Sequence, residues 1–327
     1  MPTDKRARQR AARQARLAEL RRAQQRRRNL KRGGIVVGVV VIALVIAVLT
    51  VVLGGNKKPT HAATKDTSST TSTTAPASTS TTTVAPLSAA KLATYLVART
   101  PPAHSAACSN PTKPASSTTT TTLAGHGNAV SIVKAPKDVG FPALNGSSPR
   151  YTQFSSAPPF CINVHDTYTA TMKTTAGTMK IELLAKYAPV TVNNFVFLAG
   201  YHFFDGIVFH RVIPGFVDQG GDPTGTGEGG PGYTIPDEYP KAAGAYDSGS
   251  LAMANTGKPH TGGSQFFITV GNGGAELQPS YTMFGQVVKG LNVAYKINAG
   301  GDSADNGSPP KITYKILSVS ISASPSS

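Results

Sequence analysis

The chain contains no tryptophan and only two cysteines, Cys108 and Cys161. Their spacing excludes a CxxC redox motif and a paired-cysteine metal site. The seven histidines show no metal-ligand spacing, and no Ser-His-Asp or Cys-His arrangement is supported. The glycine-rich stretch at 220–232 lacks the Lys-Ser/Thr pair of a phosphate-binding loop. The sequence therefore predicts a protein that needs no metal or other cofactor.

Acidic residues are scarce at the N-terminus, and the charge of the chain is concentrated there. The net charge is +16, and residues 1–32 hold 13 of the 32 Lys and Arg residues against only Asp4 and Glu19. Because this charge lies in an arm and not on a folded face, nucleic-acid binding is not expected. Adhesion of the arm to anionic lipid is expected instead.

Charged residues are absent from 33–56, and residues 35–53 are almost wholly Val, Ile, Leu and Ala. This length is sufficient to cross a bilayer, so we predict a transmembrane helix over residues 33–55. The positive-inside rule leaves the basic arm in the cytoplasm and exports the rest, which predicts a single-pass cell-membrane protein. A cleaved signal peptide is the alternative, but the long basic region and long apolar stretch favour an uncleaved signal anchor.

Between this span and the folded domain the sequence predicts two segments. Residues 56–87 are rich in Thr, Ser and Pro and form a solvated linker. Residues 88–165 are a partly ordered lead-in, beginning with a short helix in which Ser88 is the N-cap. In this helix Leu92, Tyr95 and Leu96 share one face. In an oxidising compartment Cys108 and Cys161 most simply form a disulfide, and two unpaired structural thiols are the alternative.

From about Tyr168 the pattern becomes that of a mostly β domain, residues 166–322, followed by a tail at 323–327. A hairpin is predicted around Ala176–Gly177, and a helix at 188–200 places its apolar residues on one face. A second helix is predicted near Leu291–Asn298. With six further strand-like runs, about eight short strands and two helices result. Eight antiparallel strands can form a closed barrel filled by side chains, so the binding site is expected outside the barrel.

The stretch "FHRVIPGFVDQGGD", residues 209–222, places Arg211 and Gln219 among apolar residues. A three-residue loop at 214–216 would place Arg211 opposite Gln219 on one face of a hairpin. A two-residue loop would place Arg211 opposite Asp218, as a surface ion pair. His210 points to the opposite face of the strand and is interpreted as structural.

Together with "LAMAN", "GGSQFFI" and "YTMFGQVV", which follow in the same order, this stretch closely resembles the cyclophilin peptidyl-prolyl isomerases. The resemblance covers about residues 168–322. It implies isomerisation (rotamase activity) of X-Pro bonds, here in exported polypeptides. A proline-binding chaperone or scaffold with little turnover is the alternative from another class.

The resemblance also implies a set of site residues. The implied catalytic residues are Arg211, Phe216 and Gln219, and the implied substrate-binding residues are Val217, Ala254, Asn255, Gln265, Phe267, Leu277 and Tyr281. Val217 stands where many members have Met, and Tyr281 where many have His. Glu276 occupies the aromatic position that is often Trp, so weak binding of cyclosporin is expected.

Overall fold

The computed structural model describes residues 88–109, 120–121, 129–137 and 139–325. The predicted basic arm, transmembrane helix and linker therefore lie outside the described residues. In the part that is described, no helix is long and apolar enough to span a membrane. The helices are α1 (Ala89–Tyr95), α2 (Pro189–Gly200) and α3 (Leu291–Ala299). The strands are β1 (Thr120–Thr121), β2 (Ile132–Val133), β3 (Thr167–Thr174), β4 (Gly177–Leu183), β5 (Arg211–Ile213), β6 (Val217–Gly220), β7 (Ser250–Met253), β8 (Phe266–Thr269), β9 (Met283–Lys289) and β10 (Ile316–Ser324).

Eight of these strands form one antiparallel sheet in the order β10-β3-β4-β9-β7-β8-β6-β5, which confirms the predicted strand number. The predicted closure of the barrel is confirmed only in part, since β5 and β10 are the two edges of this sheet and share no strand ladder. Among the described residues, the two edges are joined by an isolated bridge between Val208 and Lys315. The backbone N–H of Phe209 also donates to the Tyr314 carbonyl at 3.0 Å, and that of Ile316 to the Ile207 carbonyl at 2.8 Å. β1 and β2 pair separately as a small second sheet.

The hairpin of β3 and β4 shows why these residues form strands. The burial of β3 and β4 alternates along the strand, and Met172, Met179 and Ile181 are fully buried on the inner face. This alternation is the two-residue period of a half-buried sheet. The turn lies one residue earlier than predicted, since Thr174 already pairs with Gly177.

Helix α2 is buried all round, whereas the sequence predicted one buried face. Phe197 and Leu198, on its other side, are as inaccessible as Val192 and Val196. Residues before the β domain cover that side, since the Phe154 ring lies 4.9 Å from the Phe197 ring. The continuous apolar run of residues 195–199 is typical of a helix with no solvent-exposed face.

The first described part of the lead-in, residues 88–109, begins with helix α1. Helix α1 begins as predicted, with the Ser88 hydroxyl accepting a hydrogen bond from the backbone N–H of Lys91 at 3.2 Å. Leu96, just after the helix, is buried, and Leu92 is half-buried. Further along, Cys108 and Cys161 are joined by a disulfide that closes a sequence separation of 53 residues.

The buried apolar side chains form two clusters. The larger lies between α2 and the sheet and is the main core of the domain. The smaller, which we call the pocket cluster, joins α1 to the outer surface of the sheet. Its buried members are Leu96, Leu184, Val217, Ala245, Tyr246, Ala252, Phe267 and Met283, and its partly buried members are Leu92, Tyr95, Tyr187, Ile213, Phe216, Ala254, Leu277 and Tyr281.

Candidate active site

The hairpin of β5 and β6 has a three-residue loop, one of the two loop lengths that the sequence allowed. Arg211 pairs with Gln219 and Ile213 with Val217, so the alternative pairing of Arg211 with Asp218 is wrong. The backbone N–H of Phe216 donates to the Ile213 carbonyl at 3.0 Å and closes the loop. Residues directly opposite in an antiparallel pair share one face, so Arg211 and Gln219 lie side by side.

Asn298, near the end of α3, holds this loop in place. Its side-chain oxygen accepts from the Gly215 N–H at 2.7 Å, and its amide nitrogen donates to the Ile213 carbonyl at 3.0 Å. The same nitrogen donates to the Asp218 carboxyl at 2.8 Å. One buried amide therefore fixes both ends of the turn that separates Arg211 from Gln219.

The guanidinium of Arg211 is half-buried and held from two sides. Its Nη1 donates to Gln219 Oε1 at 2.9 Å. Its Nε donates to the Asn306 carbonyl and its Nη2 to Asn306 Oδ1, both at 3.0 Å. Arginine has five N–H donors, so one on each terminal nitrogen is left without a partner among the described residues. Two neighbouring donors are thus presented in a fixed orientation.

A chain of side-chain amides extends from Arg211 along the sheet. Gln219 Nε2 donates to Gln265 Oε1 at 3.0 Å, and Gln265 Nε2 donates to the carbonyls of Gly227 and Gly229 at 2.9 and 2.8 Å. Each amide has its oxygen toward Arg211 and its nitrogen away from it. This order fixes the rotamer of Gln219 and hence the side of the guanidinium that it contacts.

Apolar side chains lie beside this polar row. Six of the residues implied by the resemblance belong to the pocket cluster: Phe216, Val217, Ala254, Phe267, Leu277 and Tyr281. The rings of Tyr281 and Phe267 pack edge to face, with ring centroids 5.2 Å apart and planes at 86°. Phe267 is opposite both Gln219 and Ala252 across the sheet, so the aromatic and amide side chains share one face.

A cavity of about 450 Å³ lies next to this apolar surface. Gln219, Gln265, Ala254 and Asn255 line it, together with the loop at 227–231. The Asn255 amide nitrogen donates to the Ser280 carbonyl at 2.8 Å, which ties the segment after β7 to the residue before Tyr281. The structure therefore brings all ten residues implied by the resemblance to one surface, as an amide-lined groove beside an apolar pocket.

Two side chains of the site were not found from the sequence, Asn298 and Asn306. Asn306 lies in a "DNG" stretch, which signals only a turn, and its φ of 60° is the left-handed conformation that asparagine tolerates. Its contact with Arg211 spans 95 residues of sequence, and no local pattern encodes such a distance. Glu276 is exposed at the end of a short 3-10 helix, Gly273–Glu276, immediately before Leu277.

Burial controls the electrostatics of the hairpin. It lowers the pKa of Arg211, but an arginine starts so high that the group stays charged at physiological pH. On the opposite face, burial raises the pKa of Asp218 from 3.8 to about 8, although the hydrogen bond from Asn298 acts in the other direction. His210 is also buried, and burial lowers its pKa, so its ring is neutral. Arg211 is therefore the one strong charge presented on the described surface of this hairpin.

The β domain is similar in sequence to known proteins. Residues 169–321 match the family model "Cyclophilin type peptidyl-prolyl cis-trans isomerase/CLD". The chain is 50% identical over 122 residues to peptidyl-prolyl cis-trans isomerase B of Bacillus subtilis, covering 37% of this chain and 84% of the relative. It is 43% identical over 171 residues to peptidyl-prolyl cis-trans isomerase A of Mycobacterium tuberculosis, covering 48% and 93% respectively. The chain belongs to the cyclophilin-type peptidyl-prolyl isomerase family, and it is a peptidyl-prolyl cis-trans isomerase.

Among solved structures, the chain is similar to a cyclophilin-type peptidyl-prolyl cis-trans isomerase of Cryptosporidium parvum. The identity is 32% and the TM-score 0.45, covering 49% of this chain and 99% of the other. The residues before 169 lie outside the family match. The lead-in and its disulfide therefore lie outside the matched residues.

Proposed function

We propose that the protein isomerises X-Pro bonds of exported polypeptides, with Arg211 stabilising the twisted amide. The observation that carries the mechanism is the guanidinium fixed by Gln219 and Asn306 at the edge of the apolar pocket. Three hydrogen bonds orient this cation, and two N–H donors are left for a substrate.

The chemistry needs no nucleophile. The X-Pro amide resists rotation because its nitrogen shares a lone pair with the carbonyl, and the barrier of a peptide bond is about 18–20 kcal/mol. When the bond twists, the nitrogen becomes pyramidal and regains its lone pair. An N–H of Arg211 donates to that lone pair or to the neighbouring carbonyl, and this stabilises the twisted state more than either planar state.

The apolar pocket and the amide groove hold the two ends of the substrate. Phe216, Val217, Phe267 and Leu277 receive the proline ring, because burial of this apolar ring is favourable. Gln265 and Asn255 fix the neighbouring backbone in the groove. The proline is thereby held while the residue before it turns.

We also propose that the catalytic domain works outside the cytoplasm, on a protein anchored by one transmembrane helix. Three observations support this: the basic residues of 1–32, the uncharged stretch 33–56 and the disulfide between Cys108 and Cys161. Disulfides form and persist in oxidising compartments. Thiol labelling of intact cells, with and without reductant, tests this location. Labelling that appears only after reduction of intact cells supports it, and labelling that also requires cell lysis contradicts it.

Replacing Arg211 with Ala tests the mechanism. We expect kcat for a short proline peptide to fall about tenfold or more, equivalent to at least about 1.4 kcal/mol of barrier. Binding of the same peptide, measured separately by NMR titration, is expected to change little, because the pocket remains. Unchanged kcat in the folded variant would contradict the role of Arg211.

A further inference from the structure

The lead-in reaches the apolar wall of the active site. Leu96 is 6% exposed and, with Leu92 and Tyr95, belongs to the same pocket cluster as Phe267 and Leu277. These three lead-in residues lie outside the family match at 169–321. A segment that the family domain lacks therefore packs into the cluster from which the proline pocket is built.

Polar contacts fasten the lead-in to a loop of the β domain, residues 239–247. The Lys241 N–H donates to the Tyr95 carbonyl at 2.9 Å, and the Lys241 ammonium donates to the Ala93 carbonyl at 2.7 Å. Arg99 Nη2 donates to the Tyr239 carbonyl at 2.9 Å. At the other end of the loop, Lys91 and Asp247 form an ion pair. The loop is thus held at its beginning and at its end.

The same loop holds the pocket wall through Tyr246, which is 1% exposed. The Tyr246 hydroxyl donates to the Tyr281 carbonyl at 2.7 Å and accepts from the Tyr281 N–H at 3.2 Å. The Tyr281 ring in turn packs edge to face with the Phe267 ring. A continuous series of contacts therefore runs from the lead-in through Tyr246 to the side chains that face the proline.

We propose that residues 88–100 brace the proline pocket, so that this segment outside the family domain is required for full substrate affinity. The proposal rests on the proposed use of Phe267, Leu277 and Tyr281 as the proline pocket. The brace acts on the pocket and not on Arg211, whose contacts are with Gln219 and Asn306. It is therefore expected to affect KM and to leave kcat nearly unchanged.

The test measures kcat and KM of the full chain with a short proline peptide. The double variant Tyr95→Ala/Leu96→Ala removes the apolar contacts, and KM is expected to rise about three- to tenfold with kcat within about twofold. The matched control is Val97→Ala, since Val97 is adjacent but 45% exposed, and its KM is expected to be unchanged. Leu96→Met, which keeps an apolar side chain of similar size, is expected to retain most of the affinity.

A second variant keeps the test decisive if the double variant fails to fold. Tyr246→Phe keeps the ring and removes only the two hydrogen bonds to Tyr281, and it is expected to raise KM in the same way. Either variant, measured while folded, would contradict the proposal if its unfolding temperature fell but its KM did not change. Residues 88–100 would then contribute to stability alone. Failure of the Arg211 mechanism would show separately, as unchanged kcat in Arg211→Ala.

Discussion

The catalytic hairpin and the lead-in are attached to the same domain by different kinds of contact. The hairpin is positioned by directional side-chain hydrogen bonds, from Asn298 to its loop and from Arg211 to Gln219 and Asn306. The lead-in is attached mainly by apolar burial and by hydrogen bonds and one ion pair to the loop at 239–247, and a disulfide links Cys108 to Cys161 within it. Directional contacts fix the orientation of a reacting group, whereas burial and cross-links mainly stabilise the folded state. Damage to the hairpin should therefore appear in kcat, and damage to the lead-in in stability and KM.

Removing the disulfide should give a large loss of stability. For Cys108→Ser/Cys161→Ser we expect the free energy of unfolding to fall by about 2–4 kcal/mol, because the bridge restricts a long loop in the unfolded chain. The value of kcat at 25 °C should stay within about twofold. Urea unfolding followed by circular dichroism measures the first quantity. Reduced wild-type protein is the control and should match the variant, and a loss of kcat without loss of stability would contradict the comparison.

Shortening the side chain of Asn306 should lower kcat and not stability. Asn306→Gly keeps the carbonyl and tolerates the φ of 60° but removes Oδ1, so Arg211 loses one of its three hydrogen bonds. We expect kcat to fall about three- to tenfold with KM within about twofold. Steady-state kinetics at saturating peptide measures this effect.

The control for Asn306 is its neighbour. Asp305 also has a positive φ, 45°, and the hydrogen bonds of Arg211 among the described residues go to Gln219 and Asn306. Asp305→Gly should therefore leave kcat unchanged, and Asn306→Asp, which keeps an oxygen acceptor, should retain most of the activity. Equal losses in Asp305→Gly and Asn306→Gly would show that the loop, and not its contact with Arg211, is responsible.

Glu276→Trp tests how position 276, next to Leu277, affects the binding of cyclosporin. An exposed carboxylate at this position offers a cyclic apolar ligand no ring surface, so weak inhibition of the unmodified protein by cyclosporin is expected. The substitution should strengthen inhibition by about 1–3 kcal/mol, the scale of burying one large side chain, with kcat unchanged. Inhibition titrations measure it, with Ala275→Trp on the same short helix as the control. Equal gains in both variants would show that position 276 has no special role.

The last prediction is a pH dependence of the free energy of unfolding, caused by Asp218. Burial raises the pKa of its carboxyl to about 8 in the folded state, above its ordinary value of 3.8. Its contribution to stability is therefore full below about pH 4 and is lost as the pH rises through about 8, because the unfolded state releases the proton first. Asp218→Asn should lack this part of the decline. Urea midpoints of both proteins between pH 4 and 9 measure it, and a constant difference across this range would contradict the assignment.

The sequence predicted more of the catalytic hairpin than of the lead-in. The alternation of β3 and β4 predicted strands, and the motif around Arg211 predicted the pairing with Gln219 once the loop was taken as three residues long. The lead-in gave fewer signals: Ser88 predicted the helix cap, but no pattern predicted that Leu96 would join the cluster of Phe267. Asn306 and Asn298 were missed for the same reason, since their contacts depend on tertiary structure and not on local spacing.

The central claim is that Arg211 acts as an oriented fork and not merely as a positive charge. The most direct measurement is kcat of Arg211→Lys with a short proline peptide at saturation. Lysine keeps the charge, but its single ammonium cannot contact Gln219, both oxygens of Asn306 and the substrate together. The account predicts that kcat falls nearly as far as in Arg211→Ala, about tenfold or more. A lysine variant with the kcat of the unmodified protein would contradict it.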